Sequence, residues 1–152
     1  MKPHLLDIIR AELRTRLERL AKAATEAHAA ATDPGSKAEG KYDTRSLEAS
    51  YLAAGQARQV DDLAAALHTF EALSLPEFAS DAAIDAGALV EVDFQGDTAF
   101  FLLVPASGGL VITHAGMEIT LLTPASHLYQ QLRGRHLGDS PHSPPLTITG
   151  VS

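Results

Sequence analysis

The sequence predicts an α+β chain: a long antiparallel helical hairpin of coiled-coil type, followed by a small antiparallel β domain with one short helix. Three observations carry this. Apolar residues recur every seven positions over 5–31 and again over 49–70, the repeat of a coiled-coil seam. A polar stretch, "KAEGKYDTRSLEASYLAAGQ" at 37–56, separates the two repeats. From residue 84 onward the period falls to two, as in half-buried strands.

The first helix follows from Leu6, Leu13, Leu20 and Ala27, with Leu17, Ala24 and Ala31 on the adjacent row. The second follows from Ala49, Gln56, Leu63 and Phe70, interleaved with Ala53, Val60 and Leu67, and Pro76 closes it, because proline cannot continue a helix. Two such helices make a hairpin roughly 40–45 Å long at the helical rise per residue. Leucines, Val60 and Phe70 lie far from the connection, while "AKAATEAHAAAT" and "EASYLAAGQA" place alanines near it. The hairpin is therefore expected to be thick at its base and thin at a tip spanning about residues 34–48. Alanine is also the best helix former, so its abundance has a purely local explanation as well. Two helices bury little surface alone, and the remainder of the chain is expected to supply a base. The division falls at residues 1–76 and 77–152.

In the second part "ALVEVDF" alternates, "QGD" reads as a hairpin turn and "TAFFLLV" as a more buried returning strand. "PASGG" is a second turn, "LVIT" and "MEITLL" are short strands around "HAG", and "LTITGVS" is a candidate last strand. "TPASHLYQQLRG" reads as the short helix, with Thr123 or Ser126 as N-cap and Gly134 as its stop.

Composition narrows function. The chain has 152 residues, no cysteine and a net charge of −7; this leaves no thiolate metal site or disulfide framework and argues against nucleic-acid binding through clustered Lys and Arg. Residues 76–152 hold two arginines, Arg133 and Arg135, against eight acids. The N-terminus "MKPHLLDIIRAELRTRL" is charged every few residues, unlike a signal peptide or membrane span. A cytoplasmic, non-membrane protein and a monomer are expected. The seven histidines show no HxxxH or HExxH spacing, and there is no GxSxG or phosphate-cradling glycine loop. Gly108-Gly109 reads as backbone geometry. No self-contained active site is expected.

Two stretches resemble the bacterial Gre transcript-cleavage factors, GreA and GreB. The late family motif S-P-L-G-x-A-L-x-G-x-x-x-G-D is met by Ser126, Leu128, Leu132, Gly134, Gly138 and Asp139 in "SHLYQQLRGRHLGD", with Arg135 as the usual base; His127 and Tyr129 replace its proline and glycine. The tip motif D-x-x-E-N-A-E-Y-x-A-A is met in "TRSLEASYLAA" by Ala49, Tyr51, Ala53 and Ala54. The resemblance covers nearly the whole chain.

The resemblance implies an FKBP-like C-terminal domain and RNA polymerase as partner, with the hairpin inserted into its secondary channel and only indirect contact with nascent RNA. It implies no enzyme and no cofactor of its own. In the family, two tip carboxylates help hold a Mg²⁺ in the polymerase active centre so that water cleaves backtracked RNA. In the register of Tyr51, Thr44 and Leu47 occupy those acidic positions, and Asp43, one residue early, and Glu48, one residue late, are the nearest carboxylates. Asp43 and Glu48 are the candidate metal-holding pair, with Glu39 and Asp43 as another. Helix capping or plain solvation are the alternative roles for the acids. Lys41, Tyr42 and Arg45 are candidate tip contacts, and Ser126 and Leu128 candidate docking contacts. Other readings are a secondary-channel regulator that does not stimulate cleavage, and a coiled-coil adaptor.

Overall fold

The structure, a computed structural model, describes residues 1–32, 45–142 and 144–152, with the side chains of 27, 28, 30–32 and 45–53 outside that description. In chain order the elements are α1 (Lys2–Thr32), α2 (Arg45–Ala72), β1 (Leu89–Phe94), β2 (Asp97–Leu103), β3 (Val111–His114), β4 (Met117–Leu122), α3 (His127–Leu132) and β5 (Thr147–Val151). They form two compact units, one of Arg10–Glu71 and one of Met1–Ile9 together with Ala72–Ser152.

Within Arg10–Glu71, the described members of the heptad series are buried or half-buried, Leu17, Leu20, Val60 and Leu63 among the half-buried ones. Leu13 of α1 and Leu67 and Phe70 of α2 are buried, while Arg58, Gln59, Asp61 and Asp62 face solvent. The last turn of α2 has no basic side chain of its own, although the unpaired carbonyls at a helix C-terminus favour one. Arg10 of α1 supplies it, its Nε donating to the Phe70 carbonyl at 2.8 Å. Arg14 adds an exposed pair with Glu71 at 3.5 Å, which is worth little in high dielectric. Gln56 occupies an apolar position of the α2 series, and its Oε1 is buried with no hydrogen-bond partner among the described residues. A desolvated acceptor without a donor is destabilising.

In the second unit the strand order is β3-β4-β2-β1-β5. Three of the four pairings are antiparallel, as the alternation predicts; β2 and β4 pair parallel, Phe100 opposite Ile119 and Leu103 opposite Leu122. The hairpins β1–β2 and β3–β4 each use a two-residue turn of positive φ, Gln95-Gly96 (54° and 94°) and Ala115-Gly116 (52° and 79°). Such turns match the twist of paired strands. Between β2 and β3 the chain turns outward at Ser107–Gly109, so β3 takes the edge and β4 returns beside β2.

Side chains alternate across this sheet, giving two apolar faces. On one, Val90, Val92, Leu103, Leu122 and Ile148 cluster with Tyr129 and Leu132 of α3. On the other stand Leu102, Ile112, Ile119 and Leu121, all buried. His114 shares the second face with Ile112, and the His4 ring of α1 stacks on it at 6.2 Å between centroids. Leu5, Leu6 and Ile9 are also buried, so the first turns of α1 cover that face.

Lys2 sits at this cover, 2% exposed. Its Nζ donates to the carbonyls of Pro76 and Gly87 and lies 4.8 Å from the Phe78 ring centroid. Burial pulls its pKa below the ordinary 10.5, and the nearby Glu77 charge partly opposes this. Gly87 has φ +90°, and a Cβ there would come within 2.6 Å of Pro76 Cδ, so the segment under Lys2 admits only glycine at that point.

Lys2→Met is expected to lower stability by about 1–2 kcal/mol, because two buried carbonyls lose their donor. The ammonium binds its proton less tightly when folded than when unfolded. In the window between its lowered folded value and 10.5 the unfolded chain thus holds more protons, and wild-type stability should rise with pH there. Denaturant melts across that window should show the rise in wild type and a flatter profile in Lys2→Met; identical slopes would refute the assignment. Gln56→Leu should instead raise stability by about 1 kcal/mol, read as a higher midpoint in the same melts.

Candidate functional site

Of the tip residues singled out in the sequence, Lys41, Tyr42, Asp43 and Thr44 lie outside the described residues, as does Glu39. Arg45 opens α2 and Glu48 stands in its first turn, with both side chains outside the description. The site that can be built atom by atom is therefore the segment 126–139 around α3.

Ser126 is the N-cap of α3, with extended backbone (φ −75°, ψ 132°) and its hydroxyl accepting from the Tyr129 N–H. At 3.5 Å this is a long hydrogen bond, near the limit of useful strength. Leu128 is half-buried and packs against the apolar cluster. Tyr129 and Leu132 are buried in that cluster. Tyrosine thus stands where the resembled motif has glycine because its ring fills the space between α3 and the sheet.

The helix stops at Gly134, φ +83°. Its N–H donates to the Ile84 carbonyl at 2.7 Å, and the Ile84 N–H donates to the Arg135 carbonyl at 2.8 Å. The next turn closes on itself: the Asp139 carboxylate accepts from the His136 N–H at 2.8 Å and the Asp139 N–H donates to the His136 carbonyl at 3.0 Å. Gly138 and Asp139 then bond Ile148 of β5. Leu132, Gly134, Gly138 and Asp139 accordingly serve packing and turn geometry.

What remains for a partner is what this frame holds out to solvent. Arg135 and Leu137 are exposed, Leu137 to 45%. Arg133 is exposed too, with its Nε 3.1 Å from Asp85 Oδ1. Two guanidinium groups and a leucine on one short segment suit an acidic partner surface with an apolar contact at its centre, since guanidinium binds carboxylates in a bidentate fork. From sequence, Arg133 and Arg135 count as the two bases of an acidic half and are not singled out as contacts. Leu137 had no sequence signal, because a single exposed leucine among polar residues looks the same as a buried one.

Among the described residues no cluster of three or more His, Cys, Asp and Glu side chains is placed to hold a metal. Among them, too, no helix is long and apolar enough to cross a membrane. Among the described residues, the exposed chemistry around α3 includes that of Arg133, Arg135 and Leu137.

Ser126→Ala is expected to cost only about 0.5 kcal/mol, the low end for an N-cap, because the bond it removes is long. A thermal melt of the variant checks this. A loss several times larger would mean that the hydroxyl bears more of the local structure than its geometry indicates.

No protein-family model matches the chain, and no curated protein does. Among solved structures the chain is similar to GreA factor homolog 1 (Gfh1) of Thermus thermophilus, with 20% identity, 94% of each chain covered and a TM-score of 0.38. It is also similar to Gfh1 of Thermus aquaticus, with 19% identity, 93% of this chain and 92% of that one covered and a TM-score of 0.36. A third structure, described as the transcription factor Gfh1, has 21% identity over 93% of this chain and 92% of that one, with a TM-score of 0.38.

Proposed function

We propose that this chain is a Gre-like transcription factor that binds RNA polymerase by inserting its helical hairpin into the secondary channel. The observation that carries the reading is the pair of motifs, at residues 44–54 and 126–139. They stand in the family's order on a chain whose long helices precede a small sheet unit. A factor of this kind lends groups to its partner's active centre, and the chain itself acts as no enzyme.

Lys41, Tyr42 and Arg45 are the tip contacts in this reading. Asp43 and Glu48 are the carboxylates offered to a Mg²⁺ held by the polymerase. Hard carboxylate oxygens suit that ion, which keeps several waters and needs only one or two protein ligands when phosphates and partner acids supply the rest. The sheet unit docks through the segment begun by Ser126 and Leu128, where Arg135 and Leu137 face solvent. The protein works as a cytoplasmic monomer.

A second reading rests on Thr44 and Leu47, which occupy the family's acidic positions. In it the hairpin enters the channel and regulates transcription without stimulating cleavage. The adaptor reading has less support, because Arg58, Gln59, Asp61 and Asp62 give the outer side of α2 a polar surface that another coiled coil would not bury.

The test adds purified protein to stalled, backtracked elongation complexes carrying labelled RNA. Cleavage is expected to accelerate about tenfold or more, and Asp43→Ala or Glu48→Ala to remove that gain while co-purification with polymerase persists. Binding without cleavage in wild type selects the non-cleaving reading. Failure to bind polymerase at all overturns the proposal.

A further inference from the structure

The sheet face covered by the first turns of α1 is open at its β1–β5 end. There a cavity of about 380 Å³ is lined by residues that include Met1, Leu89, Glu91, Phe100, Met117 and Gly150. This volume lies within the usual range for small-molecule sites, about 300–1,000 Å³. It is separate from the segment around α3, which packs on the opposite face.

Strand pairing builds the floor. Glu91 stands opposite Phe100 of β2 and opposite Gly150 of β5. A bulge between Glu91 and Val92 offsets the β1–β5 register just there. A Cβ at Gly150 would lie 3.0 Å from Glu91 Oε2, so the carboxylate rests close against the Gly150 backbone and would have to shift to admit a side chain there. One acidic side chain is thus held between an aromatic residue and bare backbone.

That carboxylate is half-buried and has no hydrogen bond or ion pair among the described residues. The Met1 α-amino group lines the same cavity but makes no ion pair with Glu91 among the described residues, and the nearby side-chain cations are turned elsewhere. The Lys2 ammonium is bonded to Pro76 and Gly87. Arg133 pairs with Asp85, and Arg135 follows α3 on the segment that packs on the other face. A half-desolvated negative charge in a cavity whose walls include Leu89, Phe100 and Met117 attracts a positive group with an apolar body. The Phe100 ring adds quadrupole attraction for a cation, and thioether side chains adapt to the shape of an apolar substituent.

We propose that this cavity binds a small organic ammonium carrying an aryl or alkyl body, with Glu91 as the charge partner, Phe100 as the aromatic wall and Gly150 as the clearance that seats the carboxylate. The site is independent of the polymerase reading.

The experiment titrates the full ¹⁵N-labelled chain with 2-phenylethylammonium and, separately, with the neutral 2-phenylethanol. The ammonium is expected to shift the amides of Leu89, Glu91, Phe100, Met117 and Gly150 with Kd of about 1 mM, and the alcohol to bind about tenfold more weakly. Glu91→Gln should erase that preference while the rest of the spectrum is retained. Phe100→Leu, which keeps an apolar side chain and removes the ring, should weaken the ammonium more than the alcohol. Shifts scattered away from these residues, equal affinity for both probes, or an undiminished preference in Glu91→Gln would each overturn the proposal.

Discussion

The sheet unit depends on one constraint: its five strands are apolar on both faces. A two-sided apolar sheet is stable only when each face is covered. The chain following β4 supplies one cover, the short helix α3 with Tyr129 and Leu132. Six helical residues do not suffice for two. The second cover is the beginning of α1, and that requirement accounts for the placement of Leu5, Leu6, Ile9 and the His4–His114 stack. Lys2 follows from the same need. A helix start laid over a sheet meets the incoming segment 76–87, whose carbonyls turn inward, and a lysine satisfies two of them at the cost of its own desolvation.

The helical unit obeys a different constraint. Its seam is narrow, so its polar groups have few ways to be satisfied without leaving the interface. Arg10 resolves one such case by reaching the last carbonyls of α2, a cap delivered from the other helix. Gln56 is the unsatisfied case, with a buried oxygen and no donor among the described residues. A polar residue at a seam position is a known device for fixing register in paired helices, at a cost in stability. Gln56 fits that description, since it interrupts a series otherwise made of alanine, leucine and phenylalanine.

Around α3 the sequence motif separates into residues of two kinds once hydrogen bonds are traced. Gly134, Gly138 and Asp139 hold turns, and Leu132 fills the core, so their spacing reflects backbone geometry. Arg135 and Leu137, between the glycines, carry the exposed chemistry. Ser126 and Leu128, the docking candidates read from sequence, are a cap and a half-buried packing residue, which leaves them less free to meet a partner than the residues beyond the helix. The tip candidates Lys41, Tyr42 and Asp43 lie outside the described residues.

The sequence by itself determined everything governed by local period and turn chemistry. Seven-residue apolar spacing set α1 and α2, alternation set the strands, and Gln95-Gly96, Ala115-Gly116 and Gly134 marked the reversals, because these signals involve residues within a few positions of one another. Tertiary structure alone decided what rests on distant partners. Nothing local distinguishes a β4 that pairs only with β3 from one that also inserts beside β2 in parallel, since register along a strand is blind to which neighbour it meets. Lys2, one of the charges spaced along the N-terminal stretch, is buried because residues 74 and 85 positions away converge on it. Glu91, a polar member of the alternating stretch "ALVEVDF", faces a cavity because Phe100 and Gly150 arrive on either side of it. In each case the side chain's role is set by desolvation, and desolvation depends on which parts of the chain come together.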